Sequence, residues 1–288
     1  LPLQFHSWDK KHMTMPVEAS TAATSFGALL REWRRTRGAS QLELALLCGL
    51  SQKHLSFLES GRSRPSRGMV LNLACALDVP LAQQNAMLLA AGFAPLYRTR
   101  SLDAPEMRPI EQAFACVLAQ QEPFPALVLD RGYELVRVNR GMQTLLAFLT
   151  DGAGIPADGT VNTAELVMRP DRLRPFLENW EEIAVWLLRQ LRAETLMQGA
   201  QGRSHAALLA RLRALPGVSE LERTVRAEQD LPPTLVARFV KAGTRLALFS
   251  VNASLGTPLD VSLQSLHLEL FFPADDATRQ WFEARASG

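Results

Sequence analysis

At 288 residues the chain is long enough for two domains, and 47% hydrophobic with 21% charged residues is a globular composition. No apolar run approaches the ~20 residues that span a bilayer, and no secretory h-region opens the chain, so a membrane protein and a secreted one are both unexpected. The net charge of +2 is unevenly spread: residues 25–100 hold ten Lys/Arg against four Asp/Glu, and residues 101–288 hold 19 against 23. A basic module joined to a mildly acidic one fits a nucleic-acid-binding domain with a separate second domain.

In chain order, residues 1–24 form a polar leader expected to be disordered, with Met13 and Met15 as candidate native starts. A helix, FGALLREWRRTRG, precedes the most informative stretch, SQLELALLCGLSQKHLSFLESGRSRPSR, residues 40–67. It reads as two short helices joined at Cys48-Gly49-Leu50, the outline of a helix-turn-helix. Ser40-Gln41 and Ser51-Gln52 give each helix a hydroxyl N-cap and then an amide side chain. In a DNA reader both helix N-termini face phosphate. Leu42, Leu46, Leu50, Leu55 and Leu58 are expected to form the packed face. Gln52, Lys53 and Ser56, with His54, then face outward, where such side chains bond base edges or phosphates in the major groove. Arg62, Arg64 and Arg67 lie on a Gly/Pro-broken loop and suit the flanking phosphates, as Gln41 and Ser51 do from the helix starts. Phe57 lies about 200° around the helix from Leu55. It either meets a thymine methyl or packs beneath the first helix.

From Phe26 to Leu81 the sequence resembles the XRE (Cro/repressor-like) regulators, through the helix before the motif, the motif itself and the Met69–Leu77 helix with its Leu-Asp-Val-Pro end. HLSFLE followed by GRSRPSR resembles the MmyB-like subgroup. The resemblance implies double-stranded DNA as partner and a pair between Glu59 and a basic residue of the first helix, Arg34, that orients the recognition helix. It also implies a cytoplasmic, nucleoid-associated bacterial protein. One recognition helix reads only a few base pairs, so a homodimer on a palindromic operator is expected.

LAQQNAMLLAAGFAP closes this domain, residues 25–97, as a fifth helix stopped by Gly92 and Pro95. Residues 98–108 read as linker, and the second domain as 109–288. It opens with a helix over 110–121. PALVLDRGYELVRVN, residues 125–139, is a hairpin, with Gly132 expected to supply the positive φ. A helix over 140–149 and a Gly/Asp/Pro-rich loop over 151–161 follow. Residues 172–230 read as helical. Strands are expected over 234–240, 244–253 and 261–272, with a terminal helix over 275–286. Short connections make the sheet antiparallel. The fold class is therefore an all-α helix-turn-helix domain of five helices followed by an α+β domain with a five-stranded antiparallel sheet and a helical insert.

That element order resembles a PAS-like sheet, and Asn179–Glu182 (NWEE) resembles the second domain of MmyB-like regulators. The resemblance implies a small hydrophobic ligand, with fatty-acid-like molecules as the class. Trp180, Ile183 and Leu187, with Phe176, are candidate pocket residues, although such a helical stripe equally describes plain core. Asn139 either anchors a ligand or N-caps the helix after it.

No cofactor or metal is expected. Cys48, Cys75 and Cys116 read as buried thiols, and the histidines lack metal-ligand spacing. No Gly-rich phosphate loop, GxSxG or HExxH is present, and His205 and His267 fall on different elements, so a DNA-recruited enzyme is not expected. A second domain that only dimerises or docks a protein stays open beside the sensor.

Overall fold

A computed structural model describes residues 25–101, 104–152, 161–197, 199–224, 234–256, 258 and 260–286. The expected leader, most of the 151–161 loop and the end of the 172–230 helical region lie outside them.

The first domain contains α1 (Phe26–Thr36), α2 (Gln41–Leu47), α3 (Gln52–Glu59), α4 (Arg67–Ala76) and α5 (Leu81–Ala90). Ser25, Ser40, Ser51 and Ser66 each accept a hydrogen bond from the amide three residues on, capping the first four helices. The Ser40 amide in turn donates to the Glu43 carboxylate at 2.7 Å, completing a capping box. Gly49, at φ +67°, ends α2. The core draws Leu30 and Trp33, Leu44 and Ala45, Leu55 and Leu58, Leu73 and Met87 from successive helices.

The packed face of α2 differs from the expected one. Leu42 and Leu46 are 51% and 71% exposed, while Leu44 and Ala45 are buried. The inward face is Gln41, Leu44, Ala45 and Cys48, an i, i+3, i+4, i+7 stripe that the leucine spacing conceals. The thiols also depart from expectation: Cys75 and Cys116 are exposed and Cys48 is half-buried.

The second domain runs α6 (Arg108–Gln120), β1 (Ala126–Asp130), β2 (Leu135–Val138), α7 (Arg140–Leu149), α8 (Thr163–Met168), α9 (Trp180–Met197), α10 (Gly199–Arg213), α11 (Val218–Thr224), β3 (Val236–Lys241), β4 (Thr244–Ser254), α12 (Val261–Gln264), β5 (Leu266–Pro273) and α13 (Asp276–Ala286). The five strands form one antiparallel sheet in the order β2-β1-β5-β4-β3. Side chains alternate between its faces. Val128, Leu266 and Leu268 meet Phe114 and Leu118 of α6 on one face. Leu127, Leu129, Leu246, Leu248 and Phe239 meet α7, α9 and α10 on the other.

Two local expectations are corrected. Residues 261–264 form a helix turn, not the start of a strand, because the Asp260 carboxylate accepts from the Ser262 amide. In the hairpin, Tyr133 rather than Gly132 takes the positive φ, at +65°. The Asp130 carboxylate accepts from the amides of Gly132 and Glu134 at 2.7 and 2.9 Å, an Asx turn that moves the left-handed position one residue on.

The domains are joined by more than the chain. Pro80 cannot cap α5, and the Leu81 amide instead donates to the Gln264 side chain at 2.8 Å. Arg100 pairs with Asp260 at 2.8 Å. The Val261 amide donates to the Arg98 carbonyl at 2.9 Å. The segment read as linker is thus tied to α12, whose last residue caps the last helix of the first domain.

Candidate nucleic-acid interface and ligand domain

Helix α3, the second helix of the expected motif, is fixed by one carboxylate. The Glu59 side chain is wholly buried. It accepts from Arg34 Nε at 2.6 Å and Nη2 at 3.1 Å, from Arg31 Nε at 3.3 Å and from Gln41 Nε2 at 2.8 Å. Burial alone would push this carboxyl up, but the bond from Arg34 leads the interactions that hold it below its ordinary value. Arg34 Nη1 also donates to the Ala39 carbonyl at 2.8 Å. One buried charge therefore joins α1, the start of α2 and the end of α3. The structure brings Arg34 to Glu59 as the resemblance implied. Arg31, one helical turn before Arg34, completes the grip, and that i, i+3 spacing was the signal available for it. Gln41 sits here with its amide nitrogen committed inward, not free for phosphate.

The outer side of α3 presents Ser51, Gln52 and Lys53 to solvent, with His54, Ser56 and Phe57 half-buried. Phe57 is absent from the packed core. Lys53 Nζ and the Arg62 guanidinium lie 5.7 and 5.9 Å from its ring centroid, so the ring is a platform that fans two cations along the helix. Its carbonyl accepts from the amides of Arg62 and Ser63 at 2.9 and 3.2 Å. Gly61 turns the chain there at φ +74°. Arg62, Arg64 and Arg67 follow, all exposed. Uncommitted donors and positive charge converge beside a short helix narrow enough for a major groove.

The expected ligand residues are placed differently from one another. Asn139 is buried with both ends of its amide used: Oδ1 accepts from the Ala126 and Met142 amides, each at 2.9 Å, and Nδ2 donates to the Phe124 carbonyl at 2.8 Å. It caps α7 and ties it to β1. Asn139→Ala is expected to cost about 1–3 kcal/mol, read by urea unfolding of the full chain; an unchanged midpoint would contradict this role. Trp180, Ile183 and Leu187 pack among the sheet and helix side chains, and Phe176 lies beside them. The Arg174 guanidinium covers the Trp180 ring at 3.4 Å. Asn179 grips edge strand β3, donating to the Val236 carbonyl at 2.8 Å and accepting from the Arg238 amide at 3.0 Å, which closes an edge open to strand pairing. A polar cleft of about 650 Å³ lies at this corner, lined by Asn179, Trp180 and Arg238 with Glu178, Glu181 and Glu182.

No described helix is long and apolar enough to cross a membrane. No curated protein matches the chain. The family model of a helix-turn-helix domain matches residues 25–87, the segment built around Glu59. That of the MmyB-like transcription regulator ligand binding domain matches residues 110–284, from α6 through nearly all of α13. With most of its length so matched and a helix-turn-helix domain ahead of it, the chain belongs to the MmyB-like transcription regulators, DNA-binding proteins with a ligand-binding domain.

Proposed function

We propose that α3 enters the major groove, with Gln52, Lys53 and Ser56 reading bases beside His54 and Phe57. Ser51, Arg62, Arg64 and Arg67 hold phosphate. Two copies bind a palindromic operator, and a small hydrophobic ligand in the second domain alters how the two α3 helices are presented. The resemblance points to fatty-acid-like molecules as that ligand. The observation that supports the DNA reading is the Glu59 grip: a buried charge ties α3 to α1 and α2, and Gln52 and Lys53 of α3 stay exposed outside it. The Gln264 cap on α5 supports communication, since the ligand domain supplies a group that the first domain lacks.

Selection of duplexes from a random pool, followed by anisotropy titration, tests this. Lys53→Ala is expected to lose about 1–3 kcal/mol on the selected duplex and much less on a scrambled one. Arg64→Ala is expected to weaken both alike and flatten the salt dependence between about 50 and 200 mM. Equal losses on both duplexes for Lys53→Ala would remove the base-reading role.

A further inference from the structure

Helix α3 carries one side chain that a solvated face does not call for. Leu55 and Leu58 enter the core of the first domain, and the Glu59 side chain is buried against Arg34 of α1. Outside them, Gln52–Ser56 and Lys53–Phe57 form two adjoining i, i+4 rows. Phe57 is the apolar member of these rows, half-buried yet no part of the packed core. Its backbone is nonetheless pinned. The Phe57 carbonyl accepts from the Arg62 amide at 2.9 Å, the Ser63 amide at 3.2 Å and the Ser60 hydroxyl at 3.2 Å.

The ring also holds charge in place. Lys53 Nζ lies 5.7 Å and the Arg62 guanidinium 5.9 Å from its centroid, within the range of cation–π attraction. Arg62 belongs to the loop after the helix, whereas Lys53 stands on the helix itself, one turn before the ring. No carboxylate competes for that ammonium from its own helix, since the only acid of α3 is the buried Glu59. In α2, the Glu43 carboxylate accepts from the Ser40 amide at 2.7 Å. An ammonium and an apolar ring thus sit side by side at a fixed spacing.

We propose that Lys53 and Phe57 read one base-pair step together: the ammonium takes N7 and O6 of a guanine, and the ring takes the methyl of a thymine in the neighbouring base pair. The inference rests on α3 entering the major groove, and it names the bases selected there. An ammonium has three donors and no acceptor. Guanine answers it with two acceptors side by side, whereas adenine sets an amino donor beside its N7. The thymine methyl is the apolar group of the major groove and so the match for the ring. Successive base pairs rise about 3.4 Å along the axis, so a ring and an ammonium this close together cover neighbouring pairs rather than distant ones.

The full chain selects duplexes from a random pool, and the selected operator is titrated by anisotropy with single bases replaced. Uracil removes only the thymine methyl, and 7-deazaguanine removes only the N7 acceptor. The operator is expected to hold a T·A pair next to a G·C pair. Uracil at that thymine is expected to weaken wild type about fourfold, the weight of one buried methyl, and to leave Phe57→Ala unaffected. 7-Deazaguanine at the neighbouring guanine is expected to weaken wild type about fivefold or more and to leave Lys53→Ala unaffected. Phe57→Leu, which keeps apolar bulk but loses the π face, is expected to keep the uracil effect and to show a smaller 7-deazaguanine effect. Each ratio is taken within one protein, so a general loss of affinity cancels. An enriched operator indifferent to uracil, a uracil effect that survives in Phe57→Ala, or a full 7-deazaguanine effect in Phe57→Leu would each overturn the joint reading. A ring that only steadies cations for phosphate contacts gives the first of these results. A pool from which no duplex is enriched would instead overturn the DNA reading beneath it.

Discussion

Glu59→Ala is expected to be the most damaging single change in the DNA-binding domain, costing about 3–5 kcal/mol. The substitution deletes the acceptor for Arg34, Arg31 and Gln41 together and leaves the largely buried Arg34 guanidinium without its counter-charge, bonded to the Ala39 carbonyl. Against a usual domain stability of about 5–15 kcal/mol, that removes much of the margin. Arg34→Ala is expected to cost less, because Arg31 and Gln41 still reach the carboxylate. Native-state hydrogen exchange of α1–α3 amides separates the two, since the loss should be confined to this domain. Equal protection in Glu59→Ala and wild type would show that the grip does not hold the helices. The same carboxyl sets a pH window. Its folded value lies below its ordinary one, so its contribution is complete above about pH 4.5, the unfolded value. It is lost as pH falls from there through the folded value, and the first domain should loosen in acid before Glu59 is visibly protonated in the intact fold.

Gly27→Ala is expected to act on the same helix by a different route. A Cβ at Gly27 would lie 2.6 Å from the carbonyl oxygens of both Leu58 and Glu59. These are backbone atoms of α3, so the helix itself must move. Alanine favours helix over glycine by about 1 kcal/mol, and overpacking of a tight site costs about 1–3 kcal/mol or more. With rigid backbone as the obstacle, the clash wins. Gly68→Ala is the control: it is also helical, with nothing within 4 Å of the added carbon, and its stability should be unchanged or slightly raised. The more telling readout is operator affinity at a temperature where Gly27→Ala remains folded. A displaced recognition helix should lose at least about tenfold. Full affinity in a destabilised Gly27→Ala protein would mean that α3 relaxes back on DNA.

What was legible in the sequence follows from the range of each interaction. Ser40 and Ser51, the Gly49 turn and the outward donors of α3 depend on neighbours a few residues away, and the structure places them accordingly. The buried face of α2 depends on the position of Glu59, eighteen residues from Gln41, and the more conspicuous Leu42 and Leu46 pointed to the wrong side. The hairpin between β1 and β2 was readable, but its left-handed residue was not, because the Asp130 carboxylate, rather than Gly132, sets the turn. Alternation of leucine with His267 and Glu269 in β5 marks a strand with one polar face. It does not show that this face turns toward the helices, which follows only from the register with β1. Asn139 offered two readings of equal simplicity, and the four bonds of its amide, the longest to the Leu118 carbonyl at 3.3 Å, could be counted only in three dimensions.

In the proposed function, occupancy of the second domain alters DNA binding by the first. It is tested most directly by the operator affinity of the full chain as purified and after small molecules are stripped on a hydrophobic resin, both measured by anisotropy in one buffer, with native and denaturing mass spectra of each sample. The expected result is a mass of a few hundred daltons present only before stripping, and a shift in operator affinity of about fivefold or more. Identical affinities despite the loss of such a mass, or a protein that carries none and whose affinity ignores stripping, would contradict the account and leave a second domain that only pairs or docks.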